Sequence, residues 1–230
     1  MSAGHTPPVH VAWDEAPARI VSLARERAKT PVIGITGPVG AGKSTLARKV
    51  VEGLAAGVVL STDWYLPDYE RIPEPERDDP KHADLDELVN NLRALREGRA
   101  CEAPIWSFHT HRREGRRRIG PVAGGAAGGA MGGAVGGVVV VEGIFALHER
   151  VAHALDVGVF VEASADVRWA RWEILETSGV RGWGPEKAKK FFENVADPEF
   201  HARASGYRAR AHVIVRNDRG VPNADGSASV

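Results

Sequence analysis

Gly37-Pro38-Val39-Gly40-Ala41-Gly42-Lys43-Ser44 has the pattern G-x-x-x-x-G-K-S, and its flanks decide the fold. Before it stands Val32-Ile33-Gly34-Ile35-Thr36, short, apolar and β-branched, which reads as a buried strand. After it, residues 44–54 read as a helix. A strand, a glycine turn and a helix in that order form a P-loop: backbone N–H groups curl around phosphates and the helix N-terminus adds partial positive charge. The pattern predicts that residues 37–45, from Gly37 to Thr45, bind the phosphates of ATP. Within it Lys43 reaches the β- and γ-phosphates and the Ser44 hydroxyl ligates Mg2+.

Working outward, further strands are expected over 58–61, 138–141, 157–161 and 211–215. Helices are expected over 14–29, 84–97, 165–176 and 185–195. Leu85, Leu88, Val89, Leu92 and Leu95 give the helix over 84–97 a clear amphipathic stripe. Alternating strands and helices imply an α/β fold, a parallel sheet covered by helices on both faces, with a small lid. The 230 residues suit a single such domain. Residues 1–12 are expected to be disordered, 120–137 to form a flexible Gly/Ala insert, and 217–230 a loose tail.

Lysine plus arginine equals aspartate plus glutamate at 30 each, so no global field draws the chain to nucleic acid. The longest apolar run, Val138 to Val141, is too short for a bilayer, and residues 1–10 show no signal-peptide pattern. A lone cysteine, Cys101, suits a reducing cytoplasm. A small-molecule partner, with neither nucleic acid nor membrane, is therefore expected.

Two carboxylates complete the chemistry. Val138-Val139-Val140-Val141-Glu142-Gly143 is a buried run ending in an acid at the ligand-binding edge of the sheet, which assigns Glu142 to magnesium; a glutamate there can also cap a turn. Ser61-Thr62-Asp63-Trp64-Tyr65 follows another strand, so Asp63 faces the cradle, where it can take the proton of an attacking hydroxyl or cap the next turn. No Asn-Lys-x-Asp guanine-reading segment is present, and the chain is small for a motor ATPase. A small-molecule kinase fits best.

The P-loop with its trailing Thr-Leu-Ala, Ser61 to Tyr65, and Val-Glu-Gly-Ile at 141–144 resemble uridine kinase and its relatives, among them phosphoribulokinase and bacterial pantothenate kinase. The resemblance runs over about residues 32–215. It implies that Asp63 is the catalytic base and that Tyr65 lies in the acceptor pocket. Asp78, in Arg77-Asp78-Asp79-Pro80, matches the aspartate that holds ribose hydroxyls. Pro104 to Arg112 matches a block in which Trp106 and Phe108 flank the base and His111 hydrogen-bonds its edge. Lid arginines are expected at Arg171 and Arg181, neutralising the transferring phosphoryl group. The basic run of Arg112, Arg113, Arg116, Arg117 and Arg118 reads as a solvated loop. Self-association is a further implication of the resemblance.

The family's Arg-Asp pair is missing from Ile174-Leu175-Glu176-Thr177-Ser178-Gly179-Val180-Arg181-Gly182, and Trp106, Ser107 and Asp79 replace its usual tyrosine, aspartate and histidine. These departures bear on the acceptor, not on phosphoryl transfer. The expected acceptor is the 5′-hydroxyl of a pyrimidine ribonucleoside. The alternatives are another small alcohol, such as a sugar, pantothenate or a modified nucleoside, and a non-catalytic ATP-binding regulator.

Overall fold

The computed structural model describes residues 7–52, 54, 56–122 and 137–220. In chain order the elements are β1 (Val9–Ala12), α1 (Ala16–Arg25), β2 (Val32–Thr36), α2 (Lys43–Glu52), β3 (Gly57–Ser61), α3 (Leu85–Arg96), β4 (Cys101–Ser107) and β5 (Arg112–Ile119). They continue with β6 (Val138–Glu142), the short α4 (Glu149–Ala152), β7 (Val157–Glu162), α5 (Ala165–Thr177), α6 (Pro185–Phe191), α7 (Asp197–Arg210) and β8 (Val213–Arg216). Phe192–Ala196 is a π-helical stretch joining α6 to α7.

Six strands of the described residues form a sheet of order β1-β8-β7-β2-β6-β3, every pair parallel. β2 and β6 are buried along their whole length, as parallel strands covered on both faces must be. Successive side chains of a strand point to opposite faces, and β6 shows the result. Val138 and Val140 pack with Ile20 and Ala24 of α1 and Leu46 and Val50 of α2. Val139 and Val141 face the other way, onto Leu88, Leu92 and Leu95 of α3. α3 starts at a capped end, the Asp84 side chain accepting from Glu87 N–H at 3.1 Å. No helix of the described residues is long and apolar enough to cross a membrane.

Several expectations need correction. Residues 9–12 form β1, an edge strand paired in register with β8 from Val9↔Val213 to Ala12↔Arg216; positions 1–6 lie outside the described residues. β1 has only four residues, three of them exposed, so it carries no buried run that would announce a strand. The tail is also held at its start. Asn217 is buried, its N–H bonded to Glu162 O at 2.8 Å, and Arg219 pairs with Asp14. Positions 221–230, and 123–136 of the Gly/Ala insert, lie outside the described residues. The insert's flanks are anchored, with Val122 and Val138 both buried.

The arginine run is a strand, not a loop. β5 pairs antiparallel with β4, from Cys101↔Ile119 to Ser107↔Arg112, with a bulge at Ile105/Trp106. Three of its arginines are held by their side chains. Arg113 donates to the carbonyls of Leu66 and Tyr65 at 2.8 Å each, Arg116 pairs with Glu87, and the Arg117 guanidinium lies 3.5 Å over the Trp64 ring. α7 was not anticipated either: of its 14 residues only Phe200 and Tyr207 are buried, too few for a visible stripe.

Candidate active site

Strand register brings the carboxylates together. Ile35 of β2 and Ser61 of β3 both sit opposite Glu142 at the end of β6, so three strands finish level. The glycine loop leaves β2 at that height, and the turn carrying Asp63 leaves β3. Gly143, at φ +136°, allows the close approach between them: a Cβ there would lie 1.9 Å from Thr62 Oγ1.

Lys43 opens α2 and donates its Nζ to Pro38 O at 3.0 Å, while Ser44 Oγ donates to Glu142 Oε2 at 3.1 Å. Burial lowers the Lys43 pKa, opposed by the charges of Glu142 and Asp63. Burial raises Asp63, opposed by Lys43 and Arg181. Burial also raises Glu142, and the Asp63 charge adds to it. Two crowded carboxylates and a hydroxyl, all oxygen donors, suit a hard divalent cation. Among the described residues no three His, Cys, Asp or Glu side chains form a complete metal cage. A cation here would take its remaining oxygens from phosphate and water, the habit of magnesium.

Behind the loop, Arg171 donates to Gly40 O at 2.9 Å and to Asn217 O at 3.0 Å, and Asn217 Nδ2 donates to Ala41 O at 2.8 Å. Arg171 does not line the cavity beside the loop; its guanidinium braces the loop through Gly40 O. Arg168, also on α5, is buried and pairs with Asp197 at 2.7 Å.

Beside the loop opens a cavity of about 510 Å³, its solvent-open mouth included. Asp63 and Asp78 stand on one side. Tyr69, Trp106, Phe108 and His111 form a second wall, and Trp172, Glu176, Arg181 and Trp183 a third. Five of the residues picked out in the sequence as binding an acceptor thus share one cavity: Asp63, Asp78, Trp106, Phe108 and His111.

Trp106 is fixed by its Nε1–H, donating to Pro67 O at 3.1 Å, and meets Phe108 edge-on at 5.1 Å. His111 takes a left-handed backbone, φ +56°, closing the β4–β5 turn through its N–H to Ser107 O at 2.8 Å. Burial, then the nearby cations Lys187, Arg77 and Arg181, push its pKa down to about 4, so the ring is neutral at pH 7. Asp78 is pushed up to about 7, first by burial and then by the charge of Asp63. The Arg181 guanidinium lies 4.5 Å over Phe108 and 5.0 Å over Trp172.

Tyr65 departs from expectation. It is fully buried in the core under α3, its hydroxyl accepting from Asn91 Nδ2 at 2.9 Å, and it does not line the cavity. Thr62–Tyr65 is a single 3₁₀ turn, in which residues two apart point in different directions, so Asp63 and Tyr65 part company. Tyr69, unnoticed in the sequence, takes the place in the wall, its hydroxyl 3.5 Å from Asp78 Oδ1. Trp172, Glu176 and Trp183 were missed as well. The one local signal was Trp172 and Glu176, four apart on one helical face.

A parallel sheet whose central strand feeds a glycine loop, with an acid at the end of the next strand, defines a P-loop protein. The chain belongs to the Phosphoribulokinase / Uridine kinase family, whose profile matches residues 32–221. It is similar to uridine kinase of Staphylococcus haemolyticus, 29% identical over 196 residues that cover 82% of this chain and 88% of that one. It is also similar to uridine-cytidine kinase C of Dictyostelium discoideum, 32% identical over 130 residues, 56% of this chain. Inorganic pyrophosphatase TTM2 of Arabidopsis thaliana matches at 35% over 130 residues. The chain spans 26% and 17% of the length of these last two. A structure from Bacillus stearothermophilus, described as a possible uridine kinase, shares the fold: TM-score 0.55, 16% identity, 88% of this chain and 98% of that one.

Proposed function

We propose that the chain is one ATP-dependent kinase unit that phosphorylates the 5′-hydroxyl of a pyrimidine ribonucleoside. The observation that carries this reading is the position of Asp63. It lines the cavity and at the same time interacts with Lys43 of the phosphate loop and with Arg181, which lines the same cavity. A regulator that only senses ATP has no use for a carboxylate there.

Residues 37–45 hold the triphosphate, with Lys43 on its β- and γ-phosphates. Ser44 and Glu142 hold magnesium, which when bound supplies charge neutralisation to the phosphate oxygens. Asp63 accepts the proton of the acceptor hydroxyl as its oxygen attacks the γ-phosphorus, the bond to the β-phosphate oxygen breaks, and ADP leaves. A carboxylate raised by burial is the better base for that step. Arg181 neutralises charge on the transferring group. Arg171 supports the cradle through Gly40 O.

On the acceptor side Asp78 accepts from the ribose hydroxyls, Trp106 and Phe108 flank the base, and neutral His111 bonds its edge. Among the described residues lining the cavity, the charged groups are Asp63, Asp78, Glu176 and Arg181.

ATP consumption with uridine, cytidine, adenosine, pantothenate and simple sugars tests the reading. Turnover is expected with the pyrimidine nucleosides. Turnover with a sugar and no nucleoside overturns the acceptor while leaving the phosphoryl chemistry in place.

A further inference from the structure

Glu176 lies in the stretch from which the family's Arg-Asp pair is missing, and it is buried, with 5% of its surface exposed. A buried carboxylate is costly unless its oxygens are bonded. Here Oε1 accepts from Trp172 Nε1–H at 2.9 Å, and Oε2 accepts from two backbone N–H groups, Trp183 at 3.2 Å and Gly184 at 3.0 Å. One side chain of α5 thereby fixes both an aromatic wall residue and the loop that follows the helix.

That loop is docked on the β4–β5 turn at three consecutive residues. The Arg181 guanidinium covers Phe108. Gly182 N–H donates to Phe108 O at 3.3 Å, and a Cβ on Gly182 would come within 2.3 Å of His109 O. The Trp183 ring lies flat on His111, centroids 4.4 Å apart and planes 8° apart, with Phe191 edge-on behind it at 4.7 Å. A flat stack of this kind restricts rotation of the imidazole.

We propose that Glu176 is a positioning residue and Trp183 a specificity residue for the acceptor. The carboxylate holds residues 181–184 against the turn, and Trp183 in turn sets the plane in which His111 presents its edge to the acceptor's ring. The acceptor half rests on the nucleoside-kinase reading; the positioning half does not.

The test uses the full chain and the variants Glu176→Leu, Glu176→Gln, Trp183→Ala and Glu176→Leu/Trp183→Ala. Without ligands, Glu176→Leu is expected to speed amide exchange at Trp183 and Gly184 by about tenfold, the scale of losing hydrogen bonds to a charged group, while β2 and β6 amides keep their rates. With ligands, the nucleoside KM is expected to rise about tenfold and the ATP KM to stay within about twofold. Glu176→Gln keeps an acceptor oxygen and falls in between. Trp183→Ala reproduces the KM change, and the double variant adds little to it, because both act through one stack.

Unchanged exchange at Trp183 and Gly184 overturns the positioning role. Equal changes in both KM values, or additive effects in the double variant, overturn the specificity role. Should Glu176→Leu fail to fold, Glu176→Gln and Trp183→Ala decide by the same readouts. A wild-type chain that phosphorylates no nucleoside defeats the functional reading and the acceptor half with it, and the exchange result then decides the positioning half alone.

Discussion

Ser44 Oγ donates to Glu142 Oε2 at 3.1 Å, joining the first turn of α2 to the end of β6. The contact closes the gap between the phosphate loop and the neighbouring strand, and it sets two oxygen donors side by side. Removing the carboxylate charge while keeping the shape should weaken the cation site and spare the fold. Glu142→Gln is expected to raise the magnesium concentration needed for half-maximal turnover by about 10- to 100-fold, with thermal stability little changed. Titrating magnesium at saturating ATP measures it.

Asp63→Asn leaves the loop and Lys43 in place. ATP affinity, read by calorimetry or fluorescence, is expected to change little, while kcat drops by a factor on the order of a hundred or more. Unchanged turnover would remove Asp63 from the role of base.

Asp78 gives a pH signature. With its pKa pushed up to about 7, it is largely protonated at pH 6 and ionised at pH 8. Its two oxygens accept from acceptor hydroxyls best when ionised, so the acceptor KM is expected to rise as pH falls from 8 to 6. Asp78→Asn should flatten this dependence. The stability effect has the opposite sense. The folded state holds the Asp78 proton more tightly than the unfolded chain does, so the stability from this group is fully present below the ordinary carboxylate range. It is lost as pH rises through about 7. Thermal melts of wild type and Asp78→Asn across about pH 4 to 7, the window this linkage covers, should therefore diverge in favour of the variant as pH rises.

Tyr65 and Tyr69 separate core from site. Tyr65→Phe removes one of the two acceptors of the buried Asn91 amide, the other being Glu102 O, and is expected to cost about 1–3 kcal/mol of stability, with both KM values near wild type. Tyr69→Phe removes the hydroxyl beside Asp78 and is expected to shift acceptor kinetics at little cost in stability. Denaturant titration and steady-state kinetics on the pair distinguish the two.

Legibility in the sequence followed locality. The phosphate loop was readable because its whole function lies in eight contiguous residues between a strand and a helix. The place of Glu142 was readable because a four-valine run reads as a buried strand, and its end falls at the edge of the parallel sheet beside the glycine loop. β5 was not, since seven of its eight residues are exposed and its pairing comes from backbone contacts with β4. The third cavity wall was hidden for another reason. Glu176 and Trp183 acquire their roles only when the α5–α6 loop meets the β4–β5 turn, about 70 residues earlier in the chain. Tyr65 misled because a family position was carried over without the geometry of the 3₁₀ turn that directs it.

The central claim, that Asp63 and the cradle act together on a nucleoside 5′-hydroxyl, is tested most directly by comparing uridine with 5′-deoxyuridine in the presence of ATP and magnesium. Phosphorus NMR identifies any product. The structure predicts uridine 5′-monophosphate from the first, and from the second no phosphorylated product but competitive inhibition against uridine. Phosphorylation of 5′-deoxyuridine, or of neither compound while a sugar or pantothenate is consumed, would contradict it.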